Sequence, residues 1–419
     1  MKRFIVAAVL AAALATPHAA DADVVTTWNA LAASLPTPNP FVQARTLAMA
    51  QLAVFDAVNA ITKEYEPYHF TTDAPAGASA EAAAVAAAYR VLRTIVPAGA
   101  ARLDTERGLS LAAIPDGDAK TAGLAIGEAA AAAMLALRQN DGAAATPNTY
   151  LPASTDPGVW QLTTGVPPAL PCAAGVLYHW GHLLPFGLPN VQDFMAAPPP
   201  ALDSSQYAKD YNEVKTVGSA VSTARSLDRE DVVRFYGASS PGYVFSSVAR
   251  QLAAAQGRSL SHTARALALI TMSTSDSLVS SFASKYYYNL WRPETAIRNG
   301  AGDANDKTAE DVGFTTFIST PCFPGYPSNH ASGSNGALEI IRRIYGAGEH
   351  TITLTNTAIA SIAHITLTYD ALQKISDDID DARVYGGIHF RFDQDGGMRL
   401  GRNVATYLIR NWLRPVHPD

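Results

Sequence analysis

Two long alanine-rich stretches constrain this chain most, because alanine has the highest intrinsic helix propensity of all residues. They are ASAEAAAVAAAYRVLRTIV at 78–96 and AKTAGLAIGEAAAAAMLALR at 119–138. No comparable series of alternating valine, isoleucine and threonine residues competes with them, so strands are not expected. We therefore predict an all-α fold built from packed helical bundles.

The order of helical segments predicts a single mainly helical domain over residues 23–419. Helical patterning covers about 23–140 and about 205–419, which we expect to form two packed sub-bundles. Residues 141–204 are rich in proline and glycine and are expected to join them as an irregular excursion over the surface. In the second sub-bundle, helices are predicted at about 331–346, 355–379 and 395–413.

A short internal echo raises the question of pseudo-symmetry between the sub-bundles. Ala44, Arg45, Leu47, Ala48 and Asp56 are matched at a constant offset by Ala264, Arg265, Leu267, Ala268 and Asp276. The match arises either from duplication of a bundle or by chance in alanine-rich sequence. The sequence alone leaves both explanations open.

The net charge argues against a nucleic-acid partner. The formal charge is -6 at pH 7, whereas a protein that binds polyanions needs a basic face. With 419 residues, 48% of them hydrophobic, the chain is long enough to bury a stable hydrophobic core without support from disulfides or metal sites. The oligomeric state is not fixed by the sequence, which is compatible with a homo-oligomer.

The first 22 residues are typical of a signal peptide. Lys2 and Arg3 precede an apolar run from Phe4 to Leu14, and the small residues Ala20-Asp21-Ala22 fit a signal-peptidase site. The alternative is an amphipathic or buried first helix. The run is too short to span a bilayer, and later apolar runs carry charges, so no transmembrane anchor is predicted. We expect an exported protein that is periplasmic or secreted.

The chain contains two cysteines, Cys172 and Cys322. An oxidising compartment would allow them to pair if the fold brings them together, and otherwise they remain free thiols. A bridge would restrain the loop before Ser328.

The segment KYYYNLWRPETAIR places Lys285 and Arg292 seven positions apart. This spacing predicts that both cations project from one face of one helix, which Pro293 then interrupts. Such a pair alone is usually a solvated surface. Here the neighbouring residues are mostly aromatic, and cations buried in apolar surroundings require a compensating anion.

The segment TPCFPGYPSNHASGSNGALEIIRRIYG brings Ser328, Asn329 and His330 to the start of a predicted helix. The unpaired N–H groups of a helix N-terminus are suited to binding an oxyanion. The alternative is that Ser328 or Asn329 only caps the helix. Capping does not explain the adjacent histidine.

The segment DDARVYGGIHFRFDQDGG contains Arg383, His389 and Asp393. On helical geometry the carboxylate can reach the imidazole four residues earlier and fix its tautomer. A lone histidine here would more often be a core residue. Combined with the other two segments, it indicates a site for a tetrahedral or trigonal-bipyramidal oxyanion.

The order Lys-x6-Arg-Pro, Pro-Ser-x-His and Arg-x5-His-x3-Asp resembles the vanadium-dependent haloperoxidases. These enzymes share fold and site with the type 2 phosphatidic acid phosphatase superfamily and the bacterial acid phosphatases. The segments ARTLAMAQLAVFDAVNAI and WRPETAIR are similar to the bacterial haloperoxidase-like branch. The resemblance implies the helical-bundle fold of that family.

The resemblance also implies roles for the motif residues. The oxyanion-binding group would comprise Lys285, Arg292, Arg383, Ser328 and the amide of Asn329. The catalytic group would comprise His330, His389, Lys285 and Asp393. His389 would be the axial vanadium ligand or the nucleophile toward phosphorus, His330 the acid–base residue, and Asp393 the residue that orients His389.

Two positions depart from the family pattern. Asn329 stands where glycine is usual, and Ala382 where serine is often found. The Asn329 side chain would lie at the mouth of the site and could narrow its peroxide or halide side. Phe323 resembles a halide-side residue of the haloperoxidases.

Two activities are compatible with this resemblance. A haloperoxidase would bind vanadate and use hydrogen peroxide to oxidise a halide to a hypohalous species, which then halogenates an organic acceptor. An acid phosphatase would hydrolyse a phosphate ester through a phosphohistidine. A non-catalytic oxyanion-binding protein is the third possibility. The resemblance implies neither heme nor a nucleotide cofactor. The expected partners are small molecules: hydrogen peroxide, a halide and an organic acceptor, or a phosphate ester.

Overall fold

The computed structural model describes residues 23–145, 149–163, 171–356 and 364–416. The signal peptide predicted over 1–22 lies outside the described residues. In the described ranges almost all regular structure is helical, which confirms the predicted all-α class apart from one β-hairpin.

The helices fall into two groups along the chain. The first group comprises α1 Val24–Ala33, α2 Pro40–Thr62, α3 Ala80–Ile95, α4 Ala100–Ala112 and α5 Asp118–Leu137. The second comprises α6 Ser205–Val217, α7 Leu227–Gly237, α8 Pro241–Ala255, α9 Leu260–Tyr288, α10 Pro293–Arg298, α11 Asn329–Tyr345, α12 Leu372–Tyr385 and α13 Arg391–Asn411. Between the groups, the described residues form short 3₁₀ turns at Tyr178–His182 and Val191–Phe194.

Helices α2 and α9 pack against each other at the centre of the molecule. Asn39 caps α2, which starts with a proline, and Ser259 caps α9 through its hydroxyl. Most of their residues are buried on all sides, as expected of helices in the core of a large protein. Lys285, the candidate site residue on α9, is therefore carried by a central buried helix.

The internal echo has a structural counterpart in two buried aspartates. Asp56 of α2 accepts hydrogen bonds of 2.7–2.9 Å from the backbone N–H groups of residues 68–70. Asp276 of α9 accepts bonds of 2.7–3.2 Å from those of residues 186–188. In each case a carboxylate of a central helix accepts from three consecutive loop amides. The loop follows α2 in the first case and precedes α9 in the second, so the two arrangements are alike in contacts but not in chain order.

Helix α5 packs closely along α3 because glycines replace side chains at the contact. A Cβ at Gly123 would lie 2.2 Å from the carbonyl oxygen of Ser79, and one at Gly127 would lie 2.3 Å from that of Ala83. By length and composition α5 could also cross a membrane. Its packing on α2 and α3 instead makes it a member of the first helical group.

The prediction of a helix at about 355–379 is wrong for the described residues before α12, which begins at Leu372. The described residues there form an antiparallel hairpin, β1 Glu349–Asn356 and β2 Ile365–Ala371, followed by α12. Leu354 pairs with Leu367 and both threonine-rich strands alternate exposed and buried positions. β-branched residues lose χ1 freedom in helices and pack well on a pleated surface, so the hairpin is favoured locally.

Candidate oxyanion site

Lys285 is enclosed by the loop that precedes α11. Its ammonium donates hydrogen bonds to the carbonyl oxygens of Pro324 (3.1 Å), Gly325 (2.7 Å) and Pro327, and its side chain is 0% exposed. The lysine thus fixes the shape of the loop that leads to Ser328. The charge of the ammonium is solvated there only by neutral carbonyl groups.

Arg292 does not continue the helix of Lys285, so the prediction of one shared helix face is wrong. Helix α9 ends at Tyr288, with Asn289 in the left-handed conformation that commonly terminates helices, and Arg292 precedes Pro293, the first residue of α10. The two cations nevertheless meet in one buried site because the chain turns between them.

The guanidinium of Arg292 is partly satisfied by the protein. Its Nε donates to the carbonyl of Phe323 (2.9 Å), and Nη1 lies 2.9 Å from both the carbonyl of Ile388 and the Nε2 atom of His389. Nη2 is buried without a partner. A residue that is 0% exposed thus keeps a donor available for a ligand.

Ser328 caps α11, as the alternative interpretation of this motif expected. Its hydroxyl accepts a 3.4 Å hydrogen bond from Ala331 N–H, and its own N–H donates to the Asp393 carbonyl (2.9 Å). The close approach of α13 to the start of α11 depends on Gly397, where a Cβ would lie 2.6 Å from the backbone carbonyl oxygen of Ser328. The start of α11 is therefore fixed against the start of α13.

His389 and Asp393 contact each other at the start of α13. The imidazole Nδ1 lies 2.8 Å from Asp393 Oδ2, which also accepts a 3.1 Å bond from the backbone N–H of Phe390, the N-cap residue. Because the carboxylate accepts from Nδ1–H, Nε2 carries the lone pair of the neutral ring and accepts from the Nη1 group of Arg292. The contact spans the helix cap, since His389 precedes α13.

Arg383 completes the cationic group from the last turn of α12. It is 6% exposed, and its Nε is buried without a hydrogen-bond partner. Among the described residues no carboxylate forms an ion pair with Arg383, Arg292 or Lys285. An arginine that is buried without a protein partner is costly unless an anion joins it.

The buried charges perturb one another's protonation. Burial lowers the pKa of Arg292 to about 9 and that of Arg383 to about 10, and burial together with Arg292 lowers the pKa of Lys285 well below its usual value. Burial and the neighbouring cations likewise keep the pKa of His389 low. Burial raises the pKa of Asp393 to about 7, although the adjacent cations oppose this shift. The site is short of negative charge.

Asn329 does not project into the mouth of the site, so the prediction of a narrowed entrance is wrong. Its side-chain oxygen accepts a 2.7 Å hydrogen bond from Ser281 of α9, and the residue is 5% exposed. Its Nδ2 is buried and has no partner. The asparagine that stands in place of glycine thus links the start of α11 to Ser281, which lies one turn before Lys285 on α9.

Phe323 covers the two cations that come from the α9–α10 region. Its ring centroid lies 5.1 Å from Arg292 Cζ and 5.4 Å from Lys285 Nζ, and its ring packs against Phe282 and Phe41. The ring separates the cations from solvent and interacts favourably with their charge. Phe323 therefore lies beside two of the buried cations of the site. The halide-side role that the resemblance implies for it stays a prediction.

His330 is the partly exposed member of the group. Its Nε2 lies 3.2 Å from the Ser239 carbonyl, so Nε2 carries the hydrogen of the neutral ring and Nδ1 can accept a proton. Burial, together with the positive charge of Arg383, keeps the pKa of His330 well below its usual value. The imidazole lines an open cleft of about 570 Å³.

Comparisons with known proteins agree with this geometry. Residues 265–417, which include all the motif residues above, match the family model described as the VCPO second helical-bundle domain. Over these residues the chain is similar to the second helical bundle of the vanadium haloperoxidase family. The family resemblance predicted from the sequence is confirmed. No curated protein matches the chain by sequence similarity.

Solved haloperoxidase structures share the fold of nearly the whole chain. A bacterial vanadium-dependent iodoperoxidase is similar at 21% identity, with 94% of this chain and 97% of that chain covered and a TM-score of 0.78. The holo form of a bacterial vanadium-dependent chloroperoxidase is similar at 16% identity, with 94% and 93% covered and a TM-score of 0.70. Its apo counterpart has 15% identity, 89% and 94% coverage and the same TM-score. The vanadium haloperoxidase fold therefore extends beyond the matched bundle.

Sequence reasoning missed residues that surround His330. Ser239 contacts the histidine through its carbonyl, and Asn356 donates a 2.7 Å hydrogen bond to the Ser239 hydroxyl. Gln43 and Ser240 form a further side-chain hydrogen bond at the same cleft. These residues lie far apart in the sequence and belong to no common motif, so no local signal singles them out.

We expect Asp393→Asn to weaken vanadate binding about 10–100-fold, the usual effect of losing a carboxylate that orients a metal-ligating histidine. Asparagine can still accept from the Phe390 amide but brings no negative charge to the His389 ring. Vanadate titration followed by thermal unfolding measures the change. Asp395→Asn, on the same helix and half-buried, is the matched control. Equal affinities of Asp393→Asn and the unsubstituted protein would contradict the assigned role.

Proposed function

We propose that the chain is a vanadium-dependent haloperoxidase: it binds vanadate and uses hydrogen peroxide to oxidise a halide to a hypohalous species. The observation that carries the proposal is the buried cluster of Lys285, Arg292 and Arg383 around the neutral Nε2 atom of His389. The similarity to bacterial iodo- and chloroperoxidases over most of the chain supports this activity over phosphate-ester hydrolysis.

The residues present fit a bound vanadate. The Nη2 atom of Arg292 and the Nε atom of Arg383 are buried N–H donors without partners, as expected where a ligand supplies the acceptors. Lys285 adds a third positive charge, and Ser328 and the amide of Asn329 lie at the start of α11. His389 would supply the protein ligand through Nε2, with Arg292 Nη1 turning its hydrogen bond from that atom to an oxygen of the anion.

The residues just named form a cradle for the anion. Vanadate held in this cradle would supply a Lewis acid that activates peroxide without changing oxidation state. The chain's own residues would do the rest. Arg292, Arg383 and Lys285 bind and orient the oxygens and withdraw their charge. Asp393 holds the tautomer of His389 through Nδ1. His330 would accept a proton from peroxide at Nδ1 and return it to the departing oxygen.

A parallel assay tests the proposal. Purified protein is incubated with vanadate, hydrogen peroxide and bromide or iodide in the presence of a halogen-accepting dye. A second sample without vanadate is given a phosphate ester. Halogenation that requires vanadate is the expected result. Ester cleavage that vanadate inhibits, with no halogenation, would show that the same site is a phosphatase.

Anion binding should be accompanied by proton uptake. The pKa of Lys285 lies below its usual value because of burial and the neighbouring charge of Arg292. A bound dianion opposes the effect of the neighbouring cation and favours the protonated form of Lys285. Affinity for sulfate should therefore increase as pH falls from 8 to 6, by about tenfold per pH unit for each proton taken up.

Calorimetry in two buffers of different ionisation enthalpy measures this uptake directly. Sulfate is the suitable probe because its own charge is constant over this pH range. An affinity independent of pH, with no dependence of the heat on the buffer, would contradict the predicted protonation.

We also propose that the protein acts outside the cytoplasm. A disulfide joins Cys172 to Cys322, and such bonds persist in oxidising compartments. The bridge restrains the loop before Ser328, where Val176 N–H also donates to the Cys322 carbonyl (2.9 Å). Detection of the protein in the periplasmic or culture-medium fraction of its source cells would support export, and detection only in the cytoplasm would refute it.

A further inference from the structure

The cleft at His330 is the feature that the proposed function leaves unexplained. Lys285, Arg292 and Ser328 are 0% exposed, and His389 is 3% exposed. Of the site's described side chains, only His330 lines the cleft. Molecules that enter or leave along this cleft therefore pass the imidazole.

The cleft is much larger than the inorganic reactants require. Its volume of about 570 Å³ lies in the range of pockets that hold small organic molecules. A water molecule occupies roughly 30 Å³ in the liquid, and hydrogen peroxide and a halide ion are of comparable size. A channel for these reactants alone would need only a fraction of the space.

The lining combines apolar surface with uncharged polar groups. Leu35 and Tyr243 supply apolar and aromatic surface, and Gln43, Ser239 and Ser240 supply hydrogen-bonding groups. None of the described lining residues is Asp, Glu, Lys or Arg. An ionised ligand would lose water here without gaining a charged partner, whereas a neutral molecule with hydrogen-bonding groups would lose little.

The lining is also held rigidly, which suits a preformed binding site. The amide of Gln43 is fixed by Ala33 (2.9 Å) on one side and by the Ser240 hydroxyl on the other. Ser240 caps α8, and Tyr243 donates to the Thr355 carbonyl (3.1 Å). The cleft therefore joins α1, α2, α8 and β1 around the histidine, and little ordering is needed when a ligand binds.

We propose that this cleft binds the organic acceptor, an uncharged, electron-rich aromatic molecule, and that halogen transfer occurs while it is bound beside His330. This inference rests on the proposed function, which supplies the hypohalous species. In the transfer, the oxygen–halogen bond breaks and a carbon–halogen bond forms. The ring proton leaves with the hydroxide as water. Binding would favour one ring position over others.

The test uses 3-hydroxybenzamide, a neutral phenol with several reactive ring positions, and vanadate-loaded protein with peroxide and bromide. Ala238→Trp fills the cleft from an exposed position at the end of α7, and Ala238→Ser is the matched control. We expect the isomer ratio from the unsubstituted protein to differ at least about tenfold from that given by hypobromous acid. Ala238→Trp should restore the reagent ratio and still oxidise iodide, because peroxide and iodide need only a fraction of the cleft.

An isomer ratio equal to that of hypobromous acid, or one unaffected by Ala238→Trp, would overturn the inference while leaving the proposed function intact. Calorimetry of 3-hydroxybenzamide with vanadate-free protein separates the two further. Binding that Ala238→Trp abolishes and Ala238→Ser preserves supports the cleft as a ligand site even if no halide is oxidised. Equal or tighter binding of 3-hydroxybenzoate would refute selection for an uncharged ligand.

Discussion

Replacing Arg292 by methionine is expected to weaken vanadate binding about 100-fold, because loss of a buried charge partner costs roughly 3 kcal/mol. Methionine keeps much of the apolar stem and removes both the charge and the unpartnered Nη2 donor. In the anion-free protein the substitution removes a buried charge, whose pKa burial lowers to about 9, but also leaves the carbonyls of Phe323 and Ile388 without the hydrogen bonds from Arg292. The unfolding temperature of the anion-free variant is therefore measured beside its affinity.

The matched control is Arg298→Met, at the end of α10, the helix that Arg292 precedes. Arg298 is partly exposed and forms a 2.9 Å ion pair with Glu294. Affinity is measured by the vanadate-dependent rise in unfolding temperature. A loss of affinity shared by both variants would indicate an effect on α10 as a whole, and full affinity in Arg292→Met would refute the assignment of this residue to the cradle.

Replacing His330 by alanine is expected to lower the turnover number about 10²–10⁴-fold, the usual contribution of a positioned acid–base residue. Vanadate affinity should change little, since the cradle is formed by residues that His330 does not hold in place. The Nε2 atom of the histidine bonds the Ser239 carbonyl at the cleft. The measurement is steady-state halide oxidation at saturating vanadate.

His262→Ala is the control for His330→Ala. His262 is half-buried and its pKa is lowered to about 4 by burial and nearby arginines, yet it packs against Tyr345 outside the site. Its replacement should leave turnover unchanged. If His330→Ala lost vanadate affinity in proportion to its rate, His330 would belong to the binding cradle and the acid–base role would be wrong.

The sequence was sufficient to single out the charged and polar residues that the structure brings together. Lysine, arginine and histidine in aromatic and glycine-rich surroundings are not explained by core packing, and the structure brings Lys285, Arg292, Ser328, Arg383 and His389 into one buried group. The pairing of His389 with Asp393 followed from their spacing alone. Strong local constraints, such as buried charge and a helix N-terminus, are visible in residue types.

The geometry between these residues was not predictable in the same way. A seven-residue spacing suggested one helix for Lys285 and Arg292, but Asn289 ends α9 and the chain turns. The β1–β2 hairpin was missed because its threonines alternate over too few residues to stand out. The cleft at His330 depends on segments that meet only in the folded chain. Tertiary packing decides such features.

Lys285 and Arg383 are bound differently by the rest of the protein, and this difference has an evolutionary consequence. Lys285 supports a loop through three carbonyl groups, so a descendant that no longer used vanadate would still need it for folding. No such structural role is visible for the Nε atom of Arg383, which is buried without a hydrogen-bond partner among the described residues. Among related sequences, loss of the arginine should therefore mark degenerate, inactive copies, and retention of the lysine alone should not be taken as a sign of activity.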